Sequence, residues 1–372
     1  MGESKARGFL RELAASGSLP PLPEDLLAEV LAEAARAQGV SGLLLGALER
    51  DRPTWAATLV GPLATERRRR LVRTLAQIGL AARVLDLLAA RGIRGLPLKG
   101  VVLAETVYDV ESDRPMSDVD VLALERFPQA VAALREAGFA DVARGDHAWV
   151  FRDPAGAGIL ELHRSVVSAP GLFPLDPEGL WARSRTGRGQ LPRRPSPEDL
   201  LLQLALHAAF QHGLVLSLVQ WLDFRRLLER EAIDAFGLLS LAAAARAEVP
   251  LAAALLAAEA VVKAPVPDSL RRPLPAGLRR QLSSRLADPL AFVAPAAPDV
   301  AGVRWALLAG RRAELLWRTL VLPETPEGDE RLSARVRWAF SRALRLARPA
   351  LRRGRRAAAV VDRPSGPGLG SA

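Results

Sequence analysis

Two aspartates one residue apart, Asp118 and Asp120, open an apolar run and constrain the fold more than any other feature of this sequence. Side chains alternate between the two faces of a β-strand, so both carboxylates point to the same side. The apolar residues 121–124 occupy both faces, which predicts a strand buried on both sides with its carboxylates at the rim. Two carboxylates this close repel each other unless a cation lies between them. The pattern therefore favours a divalent-metal site over a solvated surface.

A second candidate strand carries a further acid. Residues 147–151 and 158–163 read as two short strands joined by Asp-Pro-Ala-Gly, which predicts a hairpin. Glu161 and His163 share one face of the second strand, and an acid among apolar residues is costly unless it is paired or metal-bound. His163 either lines the site or hydrogen-bonds a backbone group, and we favour the second interpretation.

Three motifs together resemble a known family. They are Lys-Gly at 99–100, RPMSDVDVL at 114–122 and LELH at 160–163. They resemble the uncharacterised nucleotidyltransferase family of the DNA polymerase beta-like superfamily, over residues 65–230, and RPMSDVDVL is the most specific part. The resemblance implies an α+β fold, with a polymerase beta-like nucleotidyltransferase core containing a small mixed sheet and flanked by N-terminal and C-terminal helical regions.

The same resemblance implies an activity and a set of site residues. The activity would be metal-dependent transfer of a nucleoside monophosphate from a nucleoside triphosphate such as ATP to an acceptor hydroxyl. The implied roles are metal-binding and catalytic for Asp118, Asp120 and Glu161, and nucleotide-binding for Lys99, Gly100, Arg114 and Ser117. The implied cofactor is Mg²⁺, with Mn²⁺ as the alternative, because hard oxygen ligands suit these ions.

The turn before the first helix of this core departs from the superfamily pattern. That turn is usually Gly-Ser, and its backbone amides hold the triphosphate at a helix N-terminus. Here Lys99 precedes Gly100, as in the family that the chain resembles. A lysine beside the phosphates would neutralise developing charge, whereas the structural alternative is a surface lysine at a strand end. For Arg114 and Ser117 the alternative role is to form the turn.

Composition limits the remaining classes of protein. The 372 residues are 49% hydrophobic but only 5% aromatic, and Ala, Leu and Arg dominate, which favours helices. The absence of cysteine excludes disulfides, thiolate metal sites and cysteine nucleophiles. The sequence has no apolar run of the length that a transmembrane segment needs and no signal-peptide pattern, so we expect a cytoplasmic protein.

The net charge of +10 comes from one segment. Residues 331–356 contain ten arginines and no acid, which leaves 41 basic and 41 acidic residues elsewhere. Within this segment, 331–348 shows a helical apolar stripe. This basic amphipathic helix would either dock on the helical region, which we favour, or contact an anionic membrane or nucleic acid weakly. Residues 349–372 are predicted to be a disordered tail, because Gly, Pro and Ser are frequent beyond Arg353.

The chain is predicted to divide into six segments. They are an N-terminal helical region (1–91), the nucleotidyltransferase catalytic core (92–175), a linker (176–197), a C-terminal helical domain (198–330), the basic helix (331–348) and the tail (349–372). His207 and His212 are five residues apart and so would not share an α-helical face, which favours packing or substrate-side roles over metal binding. Asp223 would either reach the site or serve as a capping or ion-paired residue.

Two other functional hypotheses compete with nucleotidyl transfer. The first is a non-catalytic nucleotide- or partner-binding scaffold of the same fold, and the three clustered acids argue against it. The second is a nucleic-acid-binding helical protein, and only the basic segment 331–356 supports it. The sequence leaves the acceptor open among a small molecule, a sugar, a protein and RNA.

Overall fold

The protein is described here from a computed structural model. The described residues are 2–145, 147–166, 172–174, 176–296, 298–308 and 310–314. Residues Met1–Leu307 form one compact unit. The predicted basic helix at 331–348, the predicted tail at 349–372 and the anionic-surface contact proposed for 331–356 lie outside the described residues.

Four helices precede the sheet. They are α1 (Gly2–Ser16), α2 (Ala28–Ala37), α3 (Ser41–Asp51) and α4 (Ala57–Ala90). Helix α4 ends before Gly92, whose φ of 65° lies in the left-handed region that favours glycine. In α4, Arg67 donates two hydrogen bonds to Asp113, at 2.9 and 2.7 Å. This ion pair ties the long helix to the turn that leads into the aspartate pair.

A small mixed sheet follows, as the sequence predicts. Its elements in chain order are β1 (Gly95–Pro97), α5 (Lys99–Thr106), β2 (Val119–Ala123), α6 (Phe127–Glu136), β3 (Ala140–Arg144), β4 (Ala148–Arg152) and β5 (Ile159–His163). The strand order is β1-β2-β5-β4-β3, with β2 and β5 parallel and the other neighbours antiparallel. The predicted β4–β5 hairpin is confirmed. Strand β3 was not predicted, because all five of its residues are exposed and it lacks an apolar face.

The pairing of β2 with β5 places the acids. All five residues of β2 are buried, as the apolar run after the aspartate pair predicts. The parallel register sets Asp120 opposite Glu161 and Leu122 opposite His163. Because strand side chains alternate, Asp120 and Glu161 lie on one face at neighbouring positions. The two strands thus bring together carboxylates that are 41 positions apart in the chain.

The segment 176–197, which the sequence predicts to be a linker, contains short regular elements. They are α7 (Pro177–Arg183) and a two-stranded hairpin of β6 (Arg185–Thr186) and β7 (Arg193–Arg194). Two of its arginines form ion pairs with buried acids. Arg183 bonds both carboxylate oxygens of Asp199, at 2.9 and 3.0 Å, and Arg194 pairs with Glu231 at 2.9 Å.

Six more α-helices follow in the part of the chain that the structure describes. They are α8 (Pro197–Leu206), α9 (Leu218–Arg230), α10 (Ala235–Ala244), α11 (Glu248–Val262), α12 (Ala276–Ala287) and α13 (Val300–Leu307). A π-helical turn, His207–Gln211, continues α8. Ser196 caps α8 by accepting a hydrogen bond from the Asp199 amide, and every residue of α8 is buried. Among the described residues, no helix has both the length and the apolar character needed to cross a membrane.

Candidate functional site

One cleft of about 880 Å³ gathers all the site residues that the sequence predicts. It lies where the end of β1, the start of β2 and the centre of β5 meet the π-helical turn. The predicted residues that line it are Lys99, Gly100, Arg114, Ser117, Asp118, Asp120 and Glu161. Their convergence is a finding, whereas the role of each remains a prediction.

Asp120 lies at the centre of the charged groups. Its Oδ1 accepts a hydrogen bond from Lys99 Nζ at 2.9 Å and contacts His163 Nε2 at 2.7 Å. The side chain is only 8% exposed. Burial by itself raises the pKa of Asp120, but the Lys99 ammonium and the His163 ring outweigh burial and hold that pKa far below its usual range. Asp120 therefore keeps its negative charge in a buried position.

Glu161 and His163 complete a potential cation-binding group with Asp120. One ligand atom from each of the three residues lies within 4.8 Å of the other two. His163 Nε2 is 3.4 Å from Glu161 Oε2, and this contact lowers the pKa of Glu161. Burial lowers the pKa of His163, but its hydrogen bonds to Asp120 and Glu161 raise it above its ordinary value. The arrangement concentrates negative charge where a cation would be stabilised.

His163 performs both of the roles that the sequence left open. Its Nδ1 lies 3.3 Å from the backbone oxygen of Ser165, as the structural interpretation expects. Its Nε2 faces the acids of the cleft, which the other interpretation expects. The fully buried ring is therefore part of the site as well as of its support.

Asp118 precedes β2 and is less enclosed than Asp120. Its Oδ1 accepts a hydrogen bond from the Ser117 hydroxyl at 3.1 Å. Burial, together with the charges of Asp120 and Glu161, raises the pKa of Asp118. A carboxylate in this position is held at a cost to the folded protein unless a cation binds beside it.

The Lys99–Gly100 turn opens helix α5 at the edge of the cleft. Lys99 is the first residue of α5 and has a φ of 46°, a left-handed conformation that glycine adopts more readily. A Cβ on Gly100 would lie 2.8 Å from Met116 Sδ, so the backbone approaches the 114–117 turn closely. The start of a helix presents unpaired backbone amides to an anion. Lys99 thus takes a backbone conformation at the start of α5 that costs a side-chain-bearing residue more than it would cost glycine.

Arg114 is held by a buried acid that the sequence did not assign. Its Nε donates to Asp223 Oδ1 at 2.8 Å and Oδ2 at 2.9 Å, and Tyr108 donates to Asp223 Oδ1 at 2.8 Å. Burial raises the pKa of Asp223, and the hydrogen bonds from Arg114 and Tyr108 oppose that shift. Arg114 also bonds the carbonyl of Pro115 at 2.7 Å. Asp223 is therefore ion-paired, which is one of the roles that the sequence allows for it. Through Arg114 it positions the turn before Asp118.

The expectation that His207 and His212 would not share a face is wrong. The chain here forms a π-helical turn, in which the His212 amide bonds the His207 carbonyl at 3.2 Å, five residues back. This geometry brings the two rings to 4.4 Å between centroids on the cleft wall. Burial lowers the pKa of both histidines, so both rings are neutral. The sequence favours packing or substrate-side roles for these histidines, and their place on the cleft wall agrees with the substrate-side role.

Gln211 connects this pair to the acidic side of the cleft, and sequence reasoning missed it. His207 Nδ1 donates to Gln211 Oε1 at 2.6 Å, and Gln211 Nε2 donates to His147 Nε2 at 3.1 Å. The His147 ring lies 5.6 Å from the ring of His163. All four histidines of the chain therefore belong to one site. The only signal in the sequence that could have suggested this cluster is that the chain has just four histidines.

The fold and this charged cleft define a nucleotidyltransferase-like protein. The family model described as "Uncharacterised nucleotidyltransferase" matches residues 25–263, and the chain belongs to that family. A crystal structure of an antigenic nucleotidyltransferase-like protein from Paracoccidioides brasiliensis is similar at 18% identity and a TM-score of 0.29, covering 57% of this chain and 92% of that one. No curated protein matches the chain. The family match extends beyond the expected 65–230 at both ends.

Proposed function

We propose that this protein is a divalent-metal-dependent nucleotidyltransferase that moves a nucleoside monophosphate from a nucleoside triphosphate to an acceptor hydroxyl. One observation carries the proposal. In a chain of this family, Asp118, Asp120 and Glu161 line the same cleft as the Lys99–Gly100 turn. Acids that bind cations and a turn that binds phosphates are the two parts that such a transfer needs.

In this proposal the segment 92–175 supplies the phosphate and metal ligands. The amides at the start of α5 and the ammonium of Lys99 bind the β- and γ-phosphates, and Arg114 orders the 114–117 turn beside them. The helical segment that begins at 198 forms the opposite wall with the histidine pair, where the acceptor would lie. The boundaries at 91, 175 and 197 remain predictions.

The transfer is a substitution at the α-phosphorus. The acceptor oxygen forms a bond to the α-phosphorus. The bond between the α-phosphorus and the oxygen that bridges to the β-phosphorus breaks, and pyrophosphate leaves with the electron pair. The acceptor's proton is released to solvent. The protein's part is to align the acceptor oxygen with the leaving oxygen and to place positive charge near the phosphates.

The residues present fit a divalent cation. Asp120 and Glu161 supply carboxylate oxygens within 4.8 Å of each other, and Asp118 lines the same cleft. Asp118 is also destabilised as an anion by burial and by its acidic neighbours, and a bound cation would relieve that cost. A bound metal would supply charge neutralisation at the phosphates and a lowered pKa at the acceptor hydroxyl.

The proposal is tested by following radioactive label from each nucleoside triphosphate into products of a cell extract. With label on the α-phosphate, we expect a labelled product that depends on the protein and a divalent metal and disappears with chelator. With label on the γ-phosphate, the same product should be unlabelled. Product labelled only from the γ-phosphate would indicate phosphoryl transfer instead. Metal-dependent binding of a triphosphate without any labelled product would favour the scaffold hypothesis.

Lys99→Met should weaken triphosphate binding while Glu161→Gln should not. Methionine keeps the length of the side chain but removes a charged hydrogen bond, which is worth roughly 1.5–3 kcal/mol, or about 10–100-fold in Kd. Glu161→Gln should lose transfer yet bind the nucleotide, because its predicted role is on the acceptor side. Calorimetry with a non-hydrolysable triphosphate and metal measures both. Equal loss of binding in the two variants would contradict these separate roles.

A further inference from the structure

The ring of His163 is oriented by its backbone contact. Its Nδ1 lies 3.3 Å from the carbonyl oxygen of Ser165, and this oxygen can only accept a hydrogen bond. In the neutral ring the proton is therefore on Nδ1, and Nε2 carries a lone pair. The side chain is 1% exposed, so no other orientation is open to it without repacking.

The Nε2 atom faces two carboxylates. Nε2 is 2.7 Å from Asp120 Oδ1 and 3.4 Å from Glu161 Oε2. In the metal-free protein Nε2 is protonated and donates a hydrogen bond to Asp120 Oδ1, and a bound metal would displace that proton because a histidine ligand must be deprotonated at the ligating nitrogen. Metal-binding histidines commonly donate their other ring N–H to a backbone carbonyl in this way, which fixes the ring toward the metal. The geometry is that of a ligand set with two oxygens and one nitrogen.

A nitrogen ligand changes which cation such a site prefers. Mg²⁺ is bound mainly by oxygen ligands and retains several waters, whereas imidazole suits divalent first-row transition metals. We propose that His163 is a direct metal ligand with Asp120 and Glu161, and that the site prefers a divalent transition metal to Mg²⁺. The proposal deepens the proposed function and rests on it for the presence of a metal centre.

Mn²⁺ alone tests the proposal without any substrate. The full chain is freed of metal, titrated with Mn²⁺ and followed by electron paramagnetic resonance, with pulsed measurements on the bound ion. We expect a coupling to one directly bound ¹⁴N, which changes to the ¹⁵N pattern when the histidines are ¹⁵N-labelled. In competition, Mg²⁺ should displace Mn²⁺ only in large excess.

His163→Gln should remove the nitrogen coupling and weaken Mn²⁺ binding by at least about 10–100-fold. This is the minimum, because losing a residue that only supports a metal ligand already has an effect of that size. His212→Gln is the matched control, since His212 lines the cleft on the π-helical turn and is not among the three residues of the proposed ligand set, and it should keep the coupling. A thermal melt of each variant checks folding. If His163→Gln does not fold, the spectrum of the unmodified protein still decides.

Two results would overturn the proposal, and only one of them would also contradict the metal centre of the proposed function. Bound Mn²⁺ without nitrogen coupling, but lost in Asp120→Asn, would remove His163 from the ligands and keep the metal centre of the proposed function. Mn²⁺ binding that is absent, or that is the same in Asp120→Asn, would remove the metal centre as well. In the first case His163 is a charged partner of Asp120 only.

Discussion

Asp118→Asn and Asp120→Asn should each abolish metal-dependent transfer, lowering its rate by about 10³-fold or more. The physical reason is that each change removes a carboxylate from the predicted metal site, where charge stabilisation is worth several kcal/mol. The measurement is transfer of label from an α-labelled triphosphate. Asp86→Asn, an exposed acid on α4, is the matched control and should keep full activity.

The same two variants should change stability in opposite directions. Asp120 is bonded to both Lys99 and His163, so Asp120→Asn leaves buried cationic partners uncompensated and should cost up to about 3–5 kcal/mol. For Asp118, burial and the charges of Asp120 and Glu161 outweigh the Lys99 ammonium and raise the pKa of the carboxyl. Removing its charge should therefore stabilise the metal-free protein at neutral pH.

Denaturant unfolding of the metal-free proteins measures these changes. Retained activity in both variants would contradict the catalytic assignment. If Asp118→Asn lost activity together with stability, the loss of activity would have a structural cause, and the role of Asp118 as a ligand would lack support.

Asp223→Ala should lower the free energy of unfolding by about 3–5 kcal/mol. Asp223 is 1% exposed, and its removal leaves the guanidinium of Arg114, which is 10% exposed, without its charged partner. Since Arg114 also holds the Pro115 carbonyl, the turn before Asp118 loses its support. Triphosphate binding should therefore fall along with stability. Denaturant unfolding and calorimetry with a non-hydrolysable triphosphate measure the two effects.

Tyr108→Phe is the matched control for this prediction. It removes one hydrogen bond to Asp223 but leaves the ion pair, so its cost should be about 1 kcal/mol. Nucleotide binding should be unchanged in Tyr108→Phe. An Asp223→Ala variant as stable as Tyr108→Phe would show that the attraction in the ion pair barely exceeds the cost of desolvating its two charges. Nucleotide binding that stays intact in Asp223→Ala would show that Arg114 plays no part in that binding.

The histidine cluster bears on the acceptor. His207 is neutral and donates its Nδ1 proton to Gln211, so its Nε2 is left as an acceptor beside the cleft. Such a group would accept a hydrogen bond from a hydroxyl, which agrees with the hydroxyl acceptor of the proposed function. The identity of that acceptor follows from the labelled product.

Local patterns in the sequence determined the parts of the site that lie on strands. Because side chains on a strand alternate with a period of two, the spacing of Glu161 and His163 places them on one face before any fold is known. The run after Asp118 likewise predicts β2, since strands buried on both faces are continuously apolar. The turn at Lys99–Gly100 and the helix after it also follow from local sequence.

Only the tertiary structure decided how these parts meet. The parallel register that sets Asp120 opposite Glu161 depends on the packing of the whole sheet. The Arg114–Asp223 pair joins residues 109 positions apart, and sequence offers no rule for choosing that partner among many acids. The π-helical turn that brings His207 to His212 is likewise set by its surroundings, because one added residue per turn changes which side chains share a face. Period and composition act over a few residues, whereas pairing across the cleft depends on which surfaces the folded chain buries together.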